Sequence, residues 1–189
     1  MELHGPRVLL RPMRLDDFDA WREVRLANVD WLERWEPAGG PSAVRYSYQE
    51  YARGVSFADG QANADRGYRF GVFEDDALRG QISLSEISRG AFQSAFVGYW
   101  VDGRHAGRGL IPESVRSVID YAFSGLRLHR VQASIIPRNA ASIRVAEKVG
   151  LHFEGMAHRY IQINGVWEDH NLYAITVEQW PTSSGGLGG

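Results

Sequence analysis

The segment WVDGRHAGRG, residues 100–109, joins an apolar run to a glycine-rich loop that directly precedes a predicted helix. The run at residues 96–101 is continuously apolar, which is typical of a central strand. Gly107 and Gly109 allow positive φ angles and a close approach of the backbone to a ligand. Amides that precede a helix point together at one anion, and the helix dipole assists them. The segment therefore predicts a strand–loop–helix unit that binds a phosphate group through its main chain.

Two well-known phosphate-binding loops do not match this segment. The loop is too short for a P-loop and has no Lys-Ser/Thr pair, and it lacks the third glycine of a dinucleotide-binding fingerprint. It also lies in the middle of the chain, after strands that the pattern predicts to be antiparallel. On spacing alone, the segment is equally consistent with an ordinary strand–helix turn.

Hydrophobic periodicity on both sides of the segment predicts an α/β fold with a mixed, mostly antiparallel central sheet of about seven strands flanked by helices. A swap of the alternation at Glu86 and Ile87 predicts a β-bulge, and Asn164-Gly165 predicts a tight hairpin. Residues 1–180 are expected to form a single domain, followed by a flexible tail at residues 181–189. The predicted strands lie at residues 8–10, 68–73, 81–88, 96–101 and 129–136, in a hairpin at 160–167, and at 170–177, and the predicted helices begin near residues 15, 31, 46, 112 and 139.

Composition excludes several classes of function. The 189 residues carry a formal net charge of −2, so no global basic field favours nucleic acid. With no cysteine, the chain has neither disulfides nor a catalytic thiol. No run approaches the roughly 18 apolar residues of a membrane span, and the first residues do not resemble a secretory signal. We expect a cytoplasmic protein without a membrane or nucleic-acid partner, and without a metal, because no histidine–carboxylate motif has ligand spacing.

Four blocks of sequence, in this order, carry a resemblance to a known family. They are RGAFQSAFVGYWV at 89–101, R-x-x-G-x-G at 104–109, PRNAASIRVAEKVGLHFEG at 137–155 and YIQINGVWEDHNLYAIT at 160–176. Over about residues 7–177 the chain resembles the GCN5-related N-acetyltransferases, the GNAT family. Within that family it is similar to the RimJ/RimL branch, which acetylates the N-termini of ribosomal proteins.

The resemblance implies the GNAT fold and acetyl-CoA as the source of the acetyl group. It places the pantetheine arm of coenzyme A along Trp100 and Val101 and the pyrophosphate on the amides of residues 104–110. The side chains of Arg104 and Arg108 either add charge for the phosphates or remain in solvent. The full implied set of cofactor-binding residues is Trp100, Val101, Arg104, His105, Ala106, Gly107, Arg108, Gly109, Leu110, Asn139 and Ser142.

Two residues of the block at 137–155 have both a chemical and a plain interpretation. Asn139 is a natural helix N-cap, and the resemblance also places it against the pantetheine arm. Ser142 is one turn further on the same face, where the resemblance assigns it the proton for the departing thiolate. A thiol of pKa near 8.5 leaves readily, so a weak acid is sufficient. The alternative is an ordinary helix serine.

The general base is the least defined element. Some RimL-type members carry a glutamate where this chain has residues 160–162, which contain none. Glu86 is the best remaining carboxylate, because it is expected on a central strand and an otherwise apolar face, where burial raises a carboxyl pKa. Rivals are Glu168, Asp169 and His170, which alternatively hold the hairpin and the last strand together, and a water relay.

A missing strong base favours one class of acceptor. A peptide α-amine has a pKa of about 7.7–8.0 and is partly neutral near pH 7.5, whereas a lysine near 10.4 is almost fully charged. We therefore expect direct transfer of acetyl to a protein N-terminus, by a monomer or homodimer. Alternatives are a small-amine acetyltransferase, such as one acting on an antibiotic, and a non-catalytic acyl-CoA-binding module. Aromatic residues at 31–57 either pack the first helices or line an acceptor groove beside Glu33 and Glu36.

Overall fold

One mixed sheet of eight strands organises the protein, as seen in a computed structural model that describes residues 1–37 and 41–181. The spatial order is first to fifth strand, then sixth, eighth and seventh, and all neighbours are antiparallel except the fifth and sixth. The predicted mixed, mostly antiparallel sheet is confirmed. The strands are β1 (Leu3–His4), β2 (Leu9–Arg11), β3 (Tyr68–Glu74), β4 (Ala77–Ser88), β5 (Ser94–Val101), β6 (Arg130–Ile135), β7 (His152–Ile163) and β8 (Val166–Thr176).

Helices cover both faces of the sheet. The larger apolar core lies between the sheet and α5 and α6, and a smaller one, around Met13, Tyr51 and Phe73, lies on the α1 and α4 side. Asn139 caps α6 by accepting a hydrogen bond from Ser142 N at 3.2 Å, as predicted. The helices are α1 (Phe18–Ala27), α2 (Val29–Leu32), α3 (Ser42–Arg45), α4 (Tyr48–Asn63), α5 (Leu110–Asp120) and α6 (Ala140–Val149).

The two parallel strands, β5 and β6, part after three pairs of residues. Their pairing ends at Phe96 and Gln132, and β5 continues to Val101 without a partner on that edge. On its other edge, β5 remains paired with β4 along its length, and Asp102 N donates to Arg79 O at 2.7 Å just beyond it. Because main-chain groups alternate along an antiparallel strand, those of Tyr99 and Val101 point into the gap. The gap is therefore edged by main-chain groups that a ligand can reach.

The predicted turns match the structure, and two predicted boundaries do not. Asn164 and Gly165 have φ of 49° and 83°, the pattern of a tight hairpin. The sheet has eight strands because the two-residue β1 is too short to leave a periodic signal. The seventh strand begins at His152, earlier than predicted, and the eighth is continuous. Apart from Pro181, the predicted flexible tail lies outside the described residues.

Candidate functional site

A cavity of about 650 Å³ opens where β5 parts from β6. Its walls are the end of β5, the loop that follows, the first turn of α5 and one face of α6, with α2 closing one side. This volume is in the range of small-molecule sites, roughly 300–1,000 Å³. The fold brings together most of the predicted cofactor-binding residues here, namely Trp100, Val101, His105, Ala106, Gly107, Gly109, Leu110, Asn139 and Ser142.

The loop presents unused main-chain donors to this cavity. Gly107 and Gly109 have φ of 78° and 88°, which non-glycine residues rarely adopt. A Cβ added at Gly107 would meet no atom within 4 Å, so space for a ligand lies beside it. The amides of residues 107–111 donate to no other residue in the described ranges. Together with the start of α5, they form a set of donors suited to a pyrophosphate.

A buried carboxylate fixes the shape of the loop. Asp102 is completely buried and accepts hydrogen bonds from the main chain and side chain of Arg104 and from Asn28. Burial alone would raise the pKa of Asp102, but the hydrogen bonds from Arg104 and Asn28 outweigh it and hold that pKa well below its ordinary value. Asp102 is thus an anion that anchors the loop from within.

The side chains of Arg104 and Arg108 bind carboxylates of the protein itself. Arg104 Nη2 lies 2.7 Å from Asp102 Oδ2, and Arg108 Nη2 lies 3.2 Å from Glu74 Oε1. Neither residue lines the cavity. The option that these guanidinium groups supply charge for phosphates is therefore not supported, because carboxylates on neighbouring elements already hold them.

Four other arginine and lysine residues line the cavity, and none of them was predicted. Arg34 lies over the rings of Trp31 and Trp35, Arg138 precedes the cap of α6, and Arg144 and Lys148 lie one turn apart on α6. Arg138 makes two hydrogen bonds of 2.7 Å to Glu168. Within the described part of the chain, neither Arg144 nor Lys148 forms an ion pair. Their i, i+4 spacing was the available signal, because it places Arg144 and Lys148 on one face of α6.

Ser142 lies between the strand end and the helix. Its carbonyl oxygen accepts a hydrogen bond from Tyr99 Oη at 3.2 Å, and burial raises the pKa of Tyr99, so this phenol keeps its proton. The bond ties the first turn of α6 to β5 across the gap. The hydroxyl of Ser142 has no protein partner among the described residues, and the residue lines the cavity.

The premise for Glu86 as general base is wrong. Glu86 is exposed rather than on a buried apolar face, and it adopts a φ of 52° in the predicted bulge, where the register shifts between Ser85 and Ser88. The cavity is at the opposite end of β4, where Gln81 pairs with Trp100. The bulge takes Glu86 out of the strand's alternation and leaves it in solvent, away from the cavity, so its position does not support a role as general base.

The rival bases are held in structural contacts. Hydrogen bonding by Arg138 lowers the pKa of Glu168. The amide of Arg159 and the ring of His158 lower the pKa of Asp169 and link the two strands of the hairpin. His170 is buried, with Nδ1 3.0 Å from the carbonyl oxygen of Glu168. The contacts of Asp169 and His170 thus lie within the hairpin, whereas the Glu168 pair joins the hairpin to the segment before α6.

The acidic residues expected beside an acceptor amine are also neutralised. Arg25 binds Glu36 through two hydrogen bonds of 2.8 and 2.6 Å, and its guanidinium carbon lies 5.2 Å from the ring centre of Trp100. Glu33 accepts from Tyr46 Oη at 2.8 Å and pairs with Arg45. Some aromatic residues of this region do line the cavity, namely Trp31 and Trp35.

Two further properties concern residues 1–37 and 41–181. No helix there is long and apolar enough to cross a bilayer. No group of three or more histidine or acidic side chains in the same ranges is placed to hold a metal ion.

Comparison with known proteins gives consistent relatives. Residues 7–152 match the family model described as acetyltransferase (GNAT) domain. The chain is 40% identical to the Bacillus subtilis (strain 168) protein named Probable N-acetyltransferase YjcK, over 92% of this chain and 96% of that protein. It is 31% identical to [ribosomal protein uS5]-alanine N-acetyltransferase of Escherichia coli (strain K12), over 93% and 94%. Mycobacterium smegmatis RimJ in complex with CoA-disulfide aligns with a TM-score of 0.90 and 35% identity, over 97% and 90%.

Proposed function

The chain belongs to the acetyltransferase (GNAT) family and is an acetyl-CoA-dependent N-acyltransferase, and from that premise we propose that its acceptor is the N-terminal α-amine of a protein, in the first place a ribosomal protein. The similarity to the uS5-alanine enzyme over nearly the whole length of both chains supports a protein acceptor. The same proposal includes a cytoplasmic location for the enzyme, because ribosomal proteins are found there.

The observation that carries the choice of an α-amine is the state of the cavity's carboxylate. In the described part of the chain, Glu36 alone among acidic residues lines the cavity, and Arg25 binds both of its oxygens. Both oxygens of this carboxylate are thus engaged by Arg25 rather than directed at an acceptor amine. An α-amine of pKa about 7.7–8.0 needs little help to become neutral, whereas a lysine amine of about 10.4 needs a strong base.

We assign the binding of acetyl-CoA to main-chain groups. The amides of residues 107–111 are free to hold the pyrophosphate, and the main-chain groups of Tyr99 and Val101 face the gap in which the pantetheine amides can pair. Val101 O already accepts from Trp31 Nε1 at 3.2 Å, which closes that end of the strand. Asn139 keeps its side-chain NH₂ free while its oxygen caps α6.

When bound, acetyl-CoA supplies the acetyl group on a thioester whose thiol has a pKa near 8.5. Ser142 Oγ, unused by the protein, is placed to hold a proton for the departing sulfur. The incoming amine nitrogen forms the C–N bond as the C–S bond breaks, and the amine gives up its proton to water in the open cavity. With no cysteine in the chain, transfer is direct, without an acyl-enzyme.

The experiment pairs an acceptor panel with cofactor binding. Purified protein and acetyl-CoA are mixed with peptides that match ribosomal N-termini, with the same peptides blocked at the N-terminus but carrying a free lysine, and with small amines. We expect mass spectrometry to show acetylation of the free N-termini fastest. Equal or faster turnover of the lysine peptides, or turnover of small amines alone, contradicts the proposal. Binding of acetyl-CoA without any turnover indicates an acyl-CoA-binding module.

A further inference from the structure

A second cavity, of about 330 Å³, lies on the opposite face of the sheet, between α4 and strands β3 and β4. Its walls include the apolar side chains of Trp21 and Tyr51. Gln81 also lines it, and Gln81 Oε1 accepts a hydrogen bond from Trp100 Nε1 at 3.3 Å. Because Trp100 lines the first cavity, this pair forms a wall shared by the two.

Arg69 is a cation without a counter-charge in this second cavity. It lines the cavity, and no carboxylate of the described residues lies within 4.0 Å of its guanidinium. Desolvation by the surrounding protein lowers the pKa of Arg69, and no neighbouring charge opposes this effect. Arg69 is exposed, so its unpaired guanidinium is accessible both to solvent and to a ligand in the cavity, and an anion bound there can form a charged hydrogen bond with it.

None of the other charged residues that line the cavity is an ion-pair partner of Arg69. Arg45 pairs with Glu33 at 3.1 Å, and Glu50 pairs with Arg53. Asp59 is exposed on α4 and makes no ion pair with a described residue.

The register of the sheet places Arg69 in the same row as Gly98, at the gap that an acceptor amine has to enter. Arg69 pairs with Ser83, and Ser83 pairs with Gly98, so the three lie in one row across three strands. Gly98 is exposed and stands just past the point where β5 and β6 part. Two strand spacings of about 4.8 Å place the Cα atoms of Gly98 and Arg69 about 10 Å apart.

An acceptor can reach the gap from this face because α5 and α6 fill the other one. An extended peptide advances about 3.3 Å per residue, so about 10 Å corresponds to roughly three residues. A peptide whose amine enters the gap at Gly98 thus brings the side chain of an early residue to Arg69.

We propose that Arg69 and the second cavity bind the carboxylate of an acidic side chain within about the first four residues of the acceptor. This inference rests on the proposed function, because it names a sequence preference of the same acceptor. The enzyme therefore selects N-terminal segments by charge as well as by their free amine.

The test is a reciprocal exchange of charge. Peptides with a free N-terminus carry Glu, Gln or Lys at the second, third or fourth residue, and kcat/KM is measured for the wild type, Arg69→Glu and Arg69→Gln. Arg66→Glu is the matched control, because Arg66 is exposed, lies three residues earlier and does not line the cavity. Melting temperatures establish that each variant is folded.

At one of these positions we expect the wild type to prefer Glu over Lys by about tenfold or more, the range of a charged hydrogen bond. Arg69→Glu should reverse the preference, Arg69→Gln should abolish it, and Arg66→Glu should leave it unchanged. Equal kcat/KM for all three peptides in the wild type, or an unchanged preference in Arg69→Gln, overturns the proposal. Failure of every peptide to be acetylated refutes the proposed function instead.

Discussion

Asn28 and Asp102, at the end of α1 and at the start of the glycine-rich loop, share a buried hydrogen bond of 2.9 Å from Asn28 Nδ2 to Asp102 Oδ1. The oxygen of the same Asn28 amide accepts from Gly103 N at 2.7 Å. One amide group therefore fixes two consecutive residues of the loop, from a helix on the other side of the sheet. The loop is held in its ligand-ready shape by the protein itself, which reduces the ordering cost of binding.

Replacing Asp102 by Asn should destabilise the protein in a pH-dependent way. Because the folded-state pKa of Asp102 is lowered, its contribution to stability is fully present above its unfolded pKa of about 3.9 and is lost as the pH falls towards the folded value. We expect Asp102→Asn to cost about 1–3 kcal/mol of unfolding free energy at pH 7. The gap to the wild type should narrow below about pH 4.

Urea unfolding at several pH values measures this gap. Asp30→Asn, an exposed substitution on α2, is the control and should stay close to the wild type throughout. A gap for Asp102→Asn that is the same at pH 7 and at pH 3 contradicts the assignment of Asp102 as the anchoring anion.

Replacing Gly107 by Val should impair binding of acetyl-CoA more than folding. The substitution strains a left-handed backbone by about 1–2 kcal/mol and fills the space beside the free amides. Gly90→Val is the matched control, because Gly90 has φ of 67° and open space around it but lies in the turn before β5. Calorimetry should show at least about a tenfold loss of affinity for Gly107→Val only, the size of one lost charged hydrogen bond. Equal affinities in the two variants would falsify the phosphate-binding role of the loop.

Arg144 and Lys148 should bind the 3′-phosphate of coenzyme A, since they are unpaired cations on the wall that leads away from Ser142. The double variant Arg144→Ala/Lys148→Ala should bind coenzyme A about tenfold or more weakly. It should bind dephospho-coenzyme A, which lacks that phosphate, as the wild type does. Arg22→Ala, an exposed arginine of α1 outside the cavity, serves as control. Equal losses for both ligands, measured by calorimetry, would show that these residues do not contact the 3′-phosphate.

Removing the hydroxyl of Ser142 should slow the reaction while cofactor affinity is nearly kept. We expect Ser142→Ala to lower kcat by roughly 10–100-fold, at the weak end of acid catalysis. Tyr99→Phe removes only the bond to the Ser142 carbonyl, so it should lower kcat less and serves to separate positioning from proton supply. If kcat of Ser142→Ala equals that of the wild type, the serine is structural.

Replacing Glu86 by Gln should leave the rate and its pH dependence unchanged, because Glu86 is exposed in the bulge and does not line the cavity. The measurement is kcat/KM against pH for a peptide with a free N-terminus. A true base would leave a variant whose rate rises with pH until the free α-amine deprotonates, near pH 8. That profile in Glu86→Gln would restore Glu86 to the catalytic machinery.

Most of the sheet could be predicted because its strands alternate cleanly and its turns carry glycine or Asn-Gly. The start of β7 could not, because two register shifts, one between Phe153 and Gly155 and one between Ala157 and Ile161, break the alternation. The ion pair between Arg108 and Glu74 could not be predicted either, because only the pairing of strands in the sheet brings these two distant residues together. Local pattern thus predicted the glycine-rich loop and the helix that follows it, but not the charged residues that surround them.

The parting of β5 and β6 also has an evolutionary consequence. Where a strand edge recognises its ligand by peptide groups, almost any side chain at the same positions preserves recognition, so selection acts weakly on them. The opposite face of the sheet has no such protection, because side chains alone decide what fits there. On the proposed function, one acceptor can therefore be exchanged for another by a few substitutions on that face, while an inhibitor that mimics the pantetheine arm would meet a strand edge that side-chain changes alter little.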